Sequence, residues 1–144
     1  MTTLKLKGRR IVGGYAEGTA VVSHSPLSFY GGVDPKTGCV VERGHELEGK
    51  CVSELILVFP TGKGSTVGSY TLYQMKKLGT APKAIINRET EIIIATGCAL
   101  AEIPLIDRLE RDPLEEIEIG DHVKVDAGKG EVEVEKKAKV EATP

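Results

Sequence analysis

The sequence predicts a single α/β domain over residues 1–144, with a small parallel β-core flanked by antiparallel β-ribbons. The first observation is a strand, helix and strand order between residues 52 and 87, which indicates parallel strands joined by a right-handed crossover. The second is residues 120–134, where apolar and polar side chains alternate on both sides of a glycine-containing turn, as in a β-hairpin. The third is length, since 144 residues without a linker-like segment are enough for one domain with its own core.

The N-terminal part of the chain predicts short strands around a long loop. Residues 4–7 alternate in polarity and predict an edge strand, and residues 16–22 predict a second strand. Residues 23–38 are rich in glycine and proline, so they predict a series of ordered turns. Loops of that length inside a compact domain are often functional. Residues 39–42 predict one further short strand.

The central part predicts the parallel core. Residues 52–59 end in a continuous apolar run, which is typical of a strand buried on both faces, and residues 83–87 repeat this character. Between them, residues 65–78 carry apolar side chains at helical spacing, and Gly79 provides the C-terminal stop.

The C-terminal part contains one ambiguous segment. The isoleucines of residues 91–101 favour a strand, whereas the length and the alanines favour a buried helix. We predict a helix there, followed by a strand at residues 103–106 and the hairpin at residues 120–134. The charged residues 135–144 are predicted to fray.

Composition excludes several classes of function. Apolar residues make up 40% of the chain, charged residues 28%, and the formal net charge is -2. Nucleic acids and acidic membrane surfaces are bound by clustered lysine and arginine, so this balance argues against both partners. No apolar run approaches the ~20 residues of a membrane span, and the N-terminus lacks the apolar segment of a signal peptide. We therefore predict a cytoplasmic protein.

The cysteines indicate neither a disulfide framework nor a metal site. The chain has an odd number of cysteines, namely Cys39, Cys51 and Cys98, and no two of them have the C-x-x-C spacing of a zinc site. We predict that all three are buried free thiols and that this chain binds no metal.

A glycine-rich turn before the predicted helix is the strongest candidate for a site, and it comprises Thr61, Gly62, Lys63, Gly64, Ser65 and Thr66. Glycine lets the backbone approach a ligand closely, and the first helical turn offers unpaired N–H groups and the positive end of the dipole. With the charge of Lys63, this arrangement favours a carboxylate, a phosphate or an alkoxide. It is not a Walker A loop, because Gly64 separates Lys63 from Ser65. The structural alternative is an ordinary N-cap serine.

Other polar residues carry weaker signals. Asn87 and Arg88 end a predicted parallel strand, where open α/β sheets tend to bind ligands, although a solvated strand end is an equal alternative. His24, His45 and His122 lie in separate segments without a motif, and we interpret them as surface or turn residues.

Several stretches resemble the swivelling domain of the aconitase X family, over about residues 8–110. The most specific are LSFYGGVDPKTG at residues 27–38 and PTGKGSTVGS at residues 60–69, with supporting segments at residues 81–87 and 101–104. The resemblance implies a swivelling β/β/α domain, similar to the aconitase C-terminal domain. It also implies a large subunit that holds a [4Fe-4S] cluster, in a heterodimer or higher assembly whose active site forms between the subunits.

The resemblance further implies a hydro-lyase activity and roles for named residues. Gly64-Ser65-Thr66 matches the Gly-Ser-Ser-like loop that presents the catalytic base in aconitase relatives, so Ser65 takes that role. The substrate is then a small hydroxy acid bound near Gly62, Lys63, Gly64, Thr66, Asn87 and Arg88. Known family reactions are dehydration of (R)-5-phosphomevalonate to trans-anhydromevalonate 5-phosphate, in isoprenoid biosynthesis, and dehydration of cis-3-hydroxy-L-proline. A separate small chain favours the phosphorylated substrate.

A non-catalytic anion-binding or carrier module is the alternative from another class. Residues 91–126 resemble the phosphohistidine carrier domains of phosphoenolpyruvate-using enzymes. Those carriers need a histidine at the start of the helix before Ile-Pro, and the corresponding place near Ile93 has none. Similarity of fold does not replace the missing residue.

Overall fold

The computed structural model describes residues 3–137. Its elements, in chain order, are β1 (Thr3–Lys7), β2 (Arg9–Val12), β3 (Tyr15–Val22), β4 (Val33–Asp34), β5 (Cys39–Val40), β6 (Ile56–Phe59), α1 (Val67–Leu78), β7 (Ala84–Asn87), α2 (Ile92–Ala101), β8 (Leu105–Asp107), α3 (Pro113–Glu116), β9 (His122–Asp126) and β10 (Glu131–Glu135). An eight-stranded sheet has the order β1-β10-β9-β3-β6-β7-β8-β2, and β4 pairs with β5 in a separate ribbon. The strands β1 and β2 lie at the two ends of this order, yet only Gly8 separates them in the chain. The two edges of the sheet are therefore close together, and the sheet is strongly curved.

Four strands at the centre, β3, β6, β7 and β8, are parallel. Every residue of β6 and β7 is buried, as their continuous apolar runs predict. The helices α1 and α2 connect successive strands, so the predicted strand–helix–strand unit and the choice of helix for residues 91–101 are confirmed. No helix within the described part of the chain is both long and apolar enough to cross a bilayer.

The parallel sheet separates two apolar clusters. One lies under the helices and contains Leu72, Met75 and Ile94, packed with Leu57 and Phe59. The two helices approach closely because Gly97 has no side chain, and a Cβ there would lie 2.7 Å from a methyl group of Leu72.

On the opposite side of the sheet, the predicted hairpin is confirmed as β9 and β10. Their residues alternate between buried and half-buried, and Val123, Val125, Val132 and Val134 form the second cluster with β6 and β7. Mixed α/β architecture with flanking β-ribbons is therefore the observed fold class.

Several predicted boundaries are wrong. The strand predicted at residues 52–59 begins only at Ile56, because Glu54 has φ +61° and the chain turns there. The strand β2 was not predicted, and the helix α1 begins at Val67 rather than Ser65.

The prediction that residues 135–144 fray is wrong for residues 135–137. Glu135 ends β10, and the amide of Lys137 donates to the buried carboxylate of Asp121 at 3.0 Å. The remainder of this stretch, residues 138–144, lies outside the described residues.

The prediction of three buried free thiols is wrong for two of them. Cys39 and Cys51 pair as an isolated antiparallel bridge and are joined in a disulfide, and neither side chain is buried. The turns between them bring the two backbones together, which spacing in the sequence does not reveal. Cys98 alone matches the prediction, since it is free and buried in α2.

Candidate functional site

The candidate site lies at the edge of the sheet where the parallel strands end. The chain leaves β6 at Phe59 and runs through residues 60–66 into α1, while Arg88 follows the neighbouring strand β7. This is the edge at which open α/β sheets bind ligands. We call residues 61–66 the serine loop.

A second segment fixes the first half of the serine loop. Leu27 is fully buried; its amide donates to the carbonyl of Thr61 at 3.3 Å, and its carbonyl accepts from the amide of Lys63 at 3.2 Å. Gly62 lies between these bonds in a parallel bridge with Leu27 and is itself buried. Side-chain atoms of Glu91, the N-cap of α2, occupy the space where a Gly62 side chain would lie. Gly62 therefore has a packing role. The amide of Lys63 is hydrogen-bonded to Leu27 and does not point to a ligand.

Gly64 determines the direction in which the serine loop turns. Its φ is +93°, and a Cβ at this position would lie 2.5 Å from the hydroxyl oxygen of Ser28. Both the backbone angle and the close approach require glycine.

We expect Gly64→Ala to destabilise the folded chain by about 1–2 kcal/mol, from left-handed strain and the displacement of Ser28. We also expect it to lower kcat/KM about tenfold, because Ser65 moves with the loop. The matched control is Gly49→Ala, where φ is +82° and a Cβ would meet nothing within 4 Å. Thermal unfolding and turnover are measured on both variants. An unchanged kcat/KM in Gly64→Ala would show that the loop geometry does not matter.

Ser65 is exposed at the start of α1, and its hydroxyl already accepts a hydrogen bond. The amide of Val67 donates to Oγ of Ser65 at 3.1 Å, and the amide of Gly68 donates to its carbonyl at 2.9 Å. An N–H aimed at this oxygen strengthens if the oxygen becomes negative, so it favours the alkoxide. The same hydrogen bond caps the N-terminus of α1, as expected of an ordinary N-cap serine, since Thr66 makes no side-chain cap bond. Ser65 can therefore cap the helix and also carry the negative charge of a base.

The charge of Lys63 is shared with Glu42. The ammonium group lies 2.9 Å from Oε2 of Glu42, and the Lys63 side chain remains 48% exposed. Because Glu42 lies 21 positions earlier in the chain and belongs to no recognisable motif, sequence reasoning missed it. The pair holds the lysine beside Gly64, and the exposed half of the side chain can still reach an anion.

The two candidates at the end of β7 have different environments. Asn87 is fully buried; its side-chain amide donates to the carbonyl of Phe59 at 3.0 Å and its side-chain oxygen accepts from Thr90. It joins β6 to β7 and has no surface to offer a ligand. Arg88 is half exposed and pairs with Asp112 at 2.9 Å, so it lies at the edge of the site.

A buried carboxylate, Asp107, organises the same edge of the sheet, and no motif in the chain points to it. Asp107 ends β8 with its side chain fully enclosed; both oxygens accept from Arg9, at 2.9 and 2.8 Å, and one also accepts from the amide of Thr90. Burial opposes ionisation, but these hydrogen bonds together outweigh it, so the pKa of Asp107 lies below its ordinary value. The network joins β2, β8 and the turn before α2.

The histidines have structural positions. His45 is a buried turn residue, so the turn alternative of the prediction is confirmed. Its backbone is hydrogen-bonded to Glu42 and Glu48, its Nδ1 accepts from the amide of Leu47 and its Nε2 faces the carbonyl of Pro26. His24 pairs with Glu46, and His122 lies near Glu17.

The described residues do not fit an iron–sulfur cluster. Among residues 3–137, no group of three or more His, Cys, Asp or Glu side chains is placed to hold a metal ion. Cys39 and Cys51 are bonded to each other, and burial raises the pKa of the Cys98 thiol. Ile93 lies in the first turn of α2, at the place where a carrier domain would need its histidine.

Comparison with known proteins identifies the relatives of this chain. Residues 5–134 match the family model described as the aconitase X swivel domain. The phosphomevalonate dehydratase small subunit of Methanosarcina acetivorans is 55% identical, over 93% of this chain and 93% of its own length. The protein of the same name from Methanosarcina mazei is 52% identical over 99% of both chains. The crystal structure of Thermococcus kodakaraensis aconitase X in its holo form superposes with a TM-score of 0.87 at 52% identity, covering 91% of this chain and 98% of that one.

Proposed function

Because this chain belongs to the aconitase X family as a swivel domain, we propose that it is the small subunit of a phosphomevalonate dehydratase. In this proposal a large subunit completes the enzyme and holds the [4Fe-4S] cluster. The motifs LSFYGGVDPKTG and PTGKGSTVGS resemble this family, and the sequence identity of 55% to the small subunit from Methanosarcina acetivorans supports the same proposal. The cluster would supply Lewis-acid chemistry from the partner.

The observation that carries the proposed mechanism is the position of Ser65. Its hydroxyl is exposed at the carboxyl edge of the parallel sheet, at the first turn of a helix, with an N–H aimed at Oγ. A serine hydroxyl is a weak base until its surroundings favour the negative form. Here the Val67 amide and the positive end of the α1 dipole both act in that direction.

We assign the proton transfer to Ser65. During dehydration a C–H bond of the substrate breaks and its proton passes to Oγ of Ser65, while the electron pair forms the double bond. The neighbouring C–O bond breaks, and the hydroxide that leaves takes a proton from solvent to form water, while Ser65 later returns the proton it accepted to solvent, so the net change is loss of one water. In this proposal the amides of Gly64, Ser65 and Thr66 donate to the developing negative charge, as backbone donors do in other electrostatic sites.

In the same proposal, Lys63 binds the anionic part of the substrate. We expect Lys63→Gln to raise KM about tenfold and to change kcat less than about threefold, because the interaction is equal in the ground state and the transition state. The control is Lys76→Gln, which removes an exposed lysine at the far end of α1. Initial rates at varied substrate concentration are measured for both. A fall in kcat at constant KM would move Lys63 from binding to the chemical step.

Dependence on the large subunit tests the proposal as a whole. The large subunit, purified anaerobically with its cluster, is titrated with this chain while 5-phosphomevalonate dehydration is followed. We expect no turnover from either chain alone and a saturating rise in rate as this chain is added. Full turnover by the large subunit alone would contradict a catalytic role for this chain.

A further inference from the structure

A disulfide closes a segment that reaches the serine loop from outside the parallel core. Cys39 and Cys51 are bonded to each other, and residues 40–50 lie between them. We call residues 39–51 the clip segment. Cys51 is exposed and Cys39 is half-buried, so the bond is open to attack from solvent. Exposed disulfides are more readily reduced by thiols than enclosed ones.

Two side chains of the clip segment contact the structure around the serine loop. Oε2 of Glu42 accepts from Nζ of Lys63 at 2.9 Å, and Nε2 of His45 lies 3.0 Å from the carbonyl oxygen of Pro26. The next residue, Leu27, makes the backbone hydrogen bonds that fix the first half of the serine loop. The position of the clip segment is therefore coupled to that of the lysine in the candidate site.

The disulfide itself lies beside the end of α1 that is away from Ser65. Oγ of Ser53 donates to the carbonyls of Thr37 and Thr80, at 3.2 and 3.0 Å. Thr80 directly follows the C-cap of α1, and Thr37 and Ser53 are each two positions from one of the bonded cysteines. A thiol can therefore reach the disulfide without entering the candidate site.

Few other bonds hold Glu42 in place. Its amide and the amide of Val41 both donate to the carbonyl of Gly32, at 3.3 and 2.8 Å. Its carboxylate makes one described hydrogen bond, the one to Lys63. Exposed segments with few bonds to the rest of a fold open most readily, and a cross-link opposes opening because it lowers the entropy of the opened segment. The disulfide therefore has a direct influence on how long Glu42 stays beside Lys63.

The pairing with Glu42 orders Lys63 before a substrate binds. The Lys63 side chain is 48% exposed, and a long exposed side chain loses conformational entropy when a ligand fixes it. An ammonium group has three donors, so the one bonded to Glu42 leaves the others for a substrate anion. Loss of the Glu42 contact should therefore weaken binding of the anion and leave the chemical step unchanged.

We propose that the Cys39–Cys51 disulfide is a redox-sensitive clip that holds Glu42 beside Lys63 and thereby sets the affinity for the anionic substrate. Glu42 is then a positioning residue that acts through Lys63. In the switching step a dithiol reductant breaks the S–S bond; two electrons and two protons pass to the two cysteines, which become thiols, and the reductant is oxidised to its own disulfide. The effect on substrate rests on the proposed function, whereas the release of Lys63 does not.

Release of Lys63 is measured on this chain alone, by reductive methylation of its lysines and mass spectrometry. The chain is used in the disulfide form and after anaerobic reduction with a dithiol that is then removed. We expect methylation of Lys63 to become about threefold faster after reduction, since the Glu42 carboxylate no longer covers one side of Nζ. The internal control is Lys76, which is exposed in the last turn of α1 and makes no ion pair among the described residues, so its rate should not change.

Two variants test whether Glu42 and the disulfide act together. Glu42→Gln should methylate quickly at Lys63 in both redox forms. The double variant Cys39→Ser with Cys51→Ser should resemble the reduced natural chain and ignore the reductant. An unchanged ratio of Lys63 to Lys76 methylation after reduction overturns the proposal, and so does a response to reduction that persists in Glu42→Gln.

The consequence for substrate is measured on the assembled enzyme with 5-phosphomevalonate. We expect reduction of the natural chain to raise KM about threefold with kcat within about twofold, and Glu42→Gln to show the higher KM in both redox forms. The matched control is Glu46→Gln, because Glu46 lies on the same segment but accepts from the amide of His24, so its KM should still respond to reduction. A KM that falls after reduction would mean that Glu42 competes with the substrate, which contradicts the proposal. The double serine variant reveals any effect of the reductant on the large subunit.

Methylation and turnover separate this inference from the proposed function. If reduction releases Lys63 but the assembled enzyme does not dehydrate 5-phosphomevalonate, the clip is supported and the substrate assignment fails. If reduction changes neither the methylation of Lys63 nor the KM of an active enzyme, the clip is overturned and the proposed function stands.

Discussion

Ser65→Ala is expected to lower kcat of the assembled enzyme at least about a hundredfold, because it removes the group that takes the substrate proton. The variant should still fold, since the side chain is exposed and its single described hydrogen bond is the one from Val67. Loss of that cap would cost about 0.5–2 kcal/mol. The measurements are single-turnover dehydration and the affinity for the large subunit.

Ser28→Ala is the matched control for a lost hydroxyl. Ser28 lies against Gly64, but its hydroxyl donates to the carbonyl of Tyr30 at 2.9 Å and is not available as a base. We expect its turnover to stay within about threefold of the natural enzyme. If Ser65→Ala and Ser28→Ala lose activity equally, or if neither does, the assignment of the base is wrong.

Asp107→Asn is expected to produce the largest loss of stability, about 2–3 kcal/mol. The substitution keeps the shape of a fully buried side chain, but it replaces the anion that accepts from Arg9 and from the amide of Thr90. Hydrogen bonds to a buried charge are each worth more than neutral ones, and the Arg9 guanidinium keeps only the more distant carboxylate of Glu89, at 3.8 Å. Chemical denaturation at pH 7 measures the difference in the free energy of unfolding.

Asp112→Asn is the control for a general effect of losing an aspartate. Asp112 also pairs with an arginine, Arg88, but both side chains are partly exposed, and asparagine can still cap α3. We expect a loss of about 1 kcal/mol or less. Equal losses in the two variants would refute a special role for the buried pair.

The contribution of Asp107 to the free energy of unfolding should depend on pH. Since its folded-state pKa is lowered, its ionisation stabilises the fold above the pKa of the unfolded chain, about 3.9, and this contribution is lost as pH falls through the folded value. The difference in unfolding free energy between the natural chain and Asp107→Asn should therefore shrink in acid. A difference that stays constant down to pH 3 would contradict this linkage.

Local sequence patterns predicted most of the sheet, because burial on one or both faces of a strand determines the order of its apolar and polar residues. The runs that end in Phe59 and Asn87 are apolar without alternation, which only a doubly covered strand allows. The hairpin strands alternate because one of their faces packs on β6 and β7. The glycine-rich turn before α1 likewise carries its own signature, so the serine loop could be found before the fold was known.

Features that depend on distant partners could not be predicted. The strand β2 begins with Arg9-Arg10, shifts register between Arg10 and Val12, and pairs only with β8 among the described strands, so it has no alternating pattern. Glu42 next to Lys63 is a contact made by the fold alone. The disulfide between Cys39 and Cys51 likewise requires the turns that close the intervening segment. Asn87 was a candidate ligand in the sequence, and only its burial reveals a structural role.

The most direct test of the central claim is anaerobic turnover of two substrates by this chain assembled with its large subunit. We predict dehydration of 5-phosphomevalonate to trans-anhydromevalonate 5-phosphate, no reaction of cis-3-hydroxy-L-proline, and loss of the first activity in Ser65→Ala. Turnover of hydroxyproline with none of 5-phosphomevalonate would contradict the proposed substrate. Absence of both activities, with the cluster present and the subunits associated, would contradict the assignment as a dehydratase of either compound.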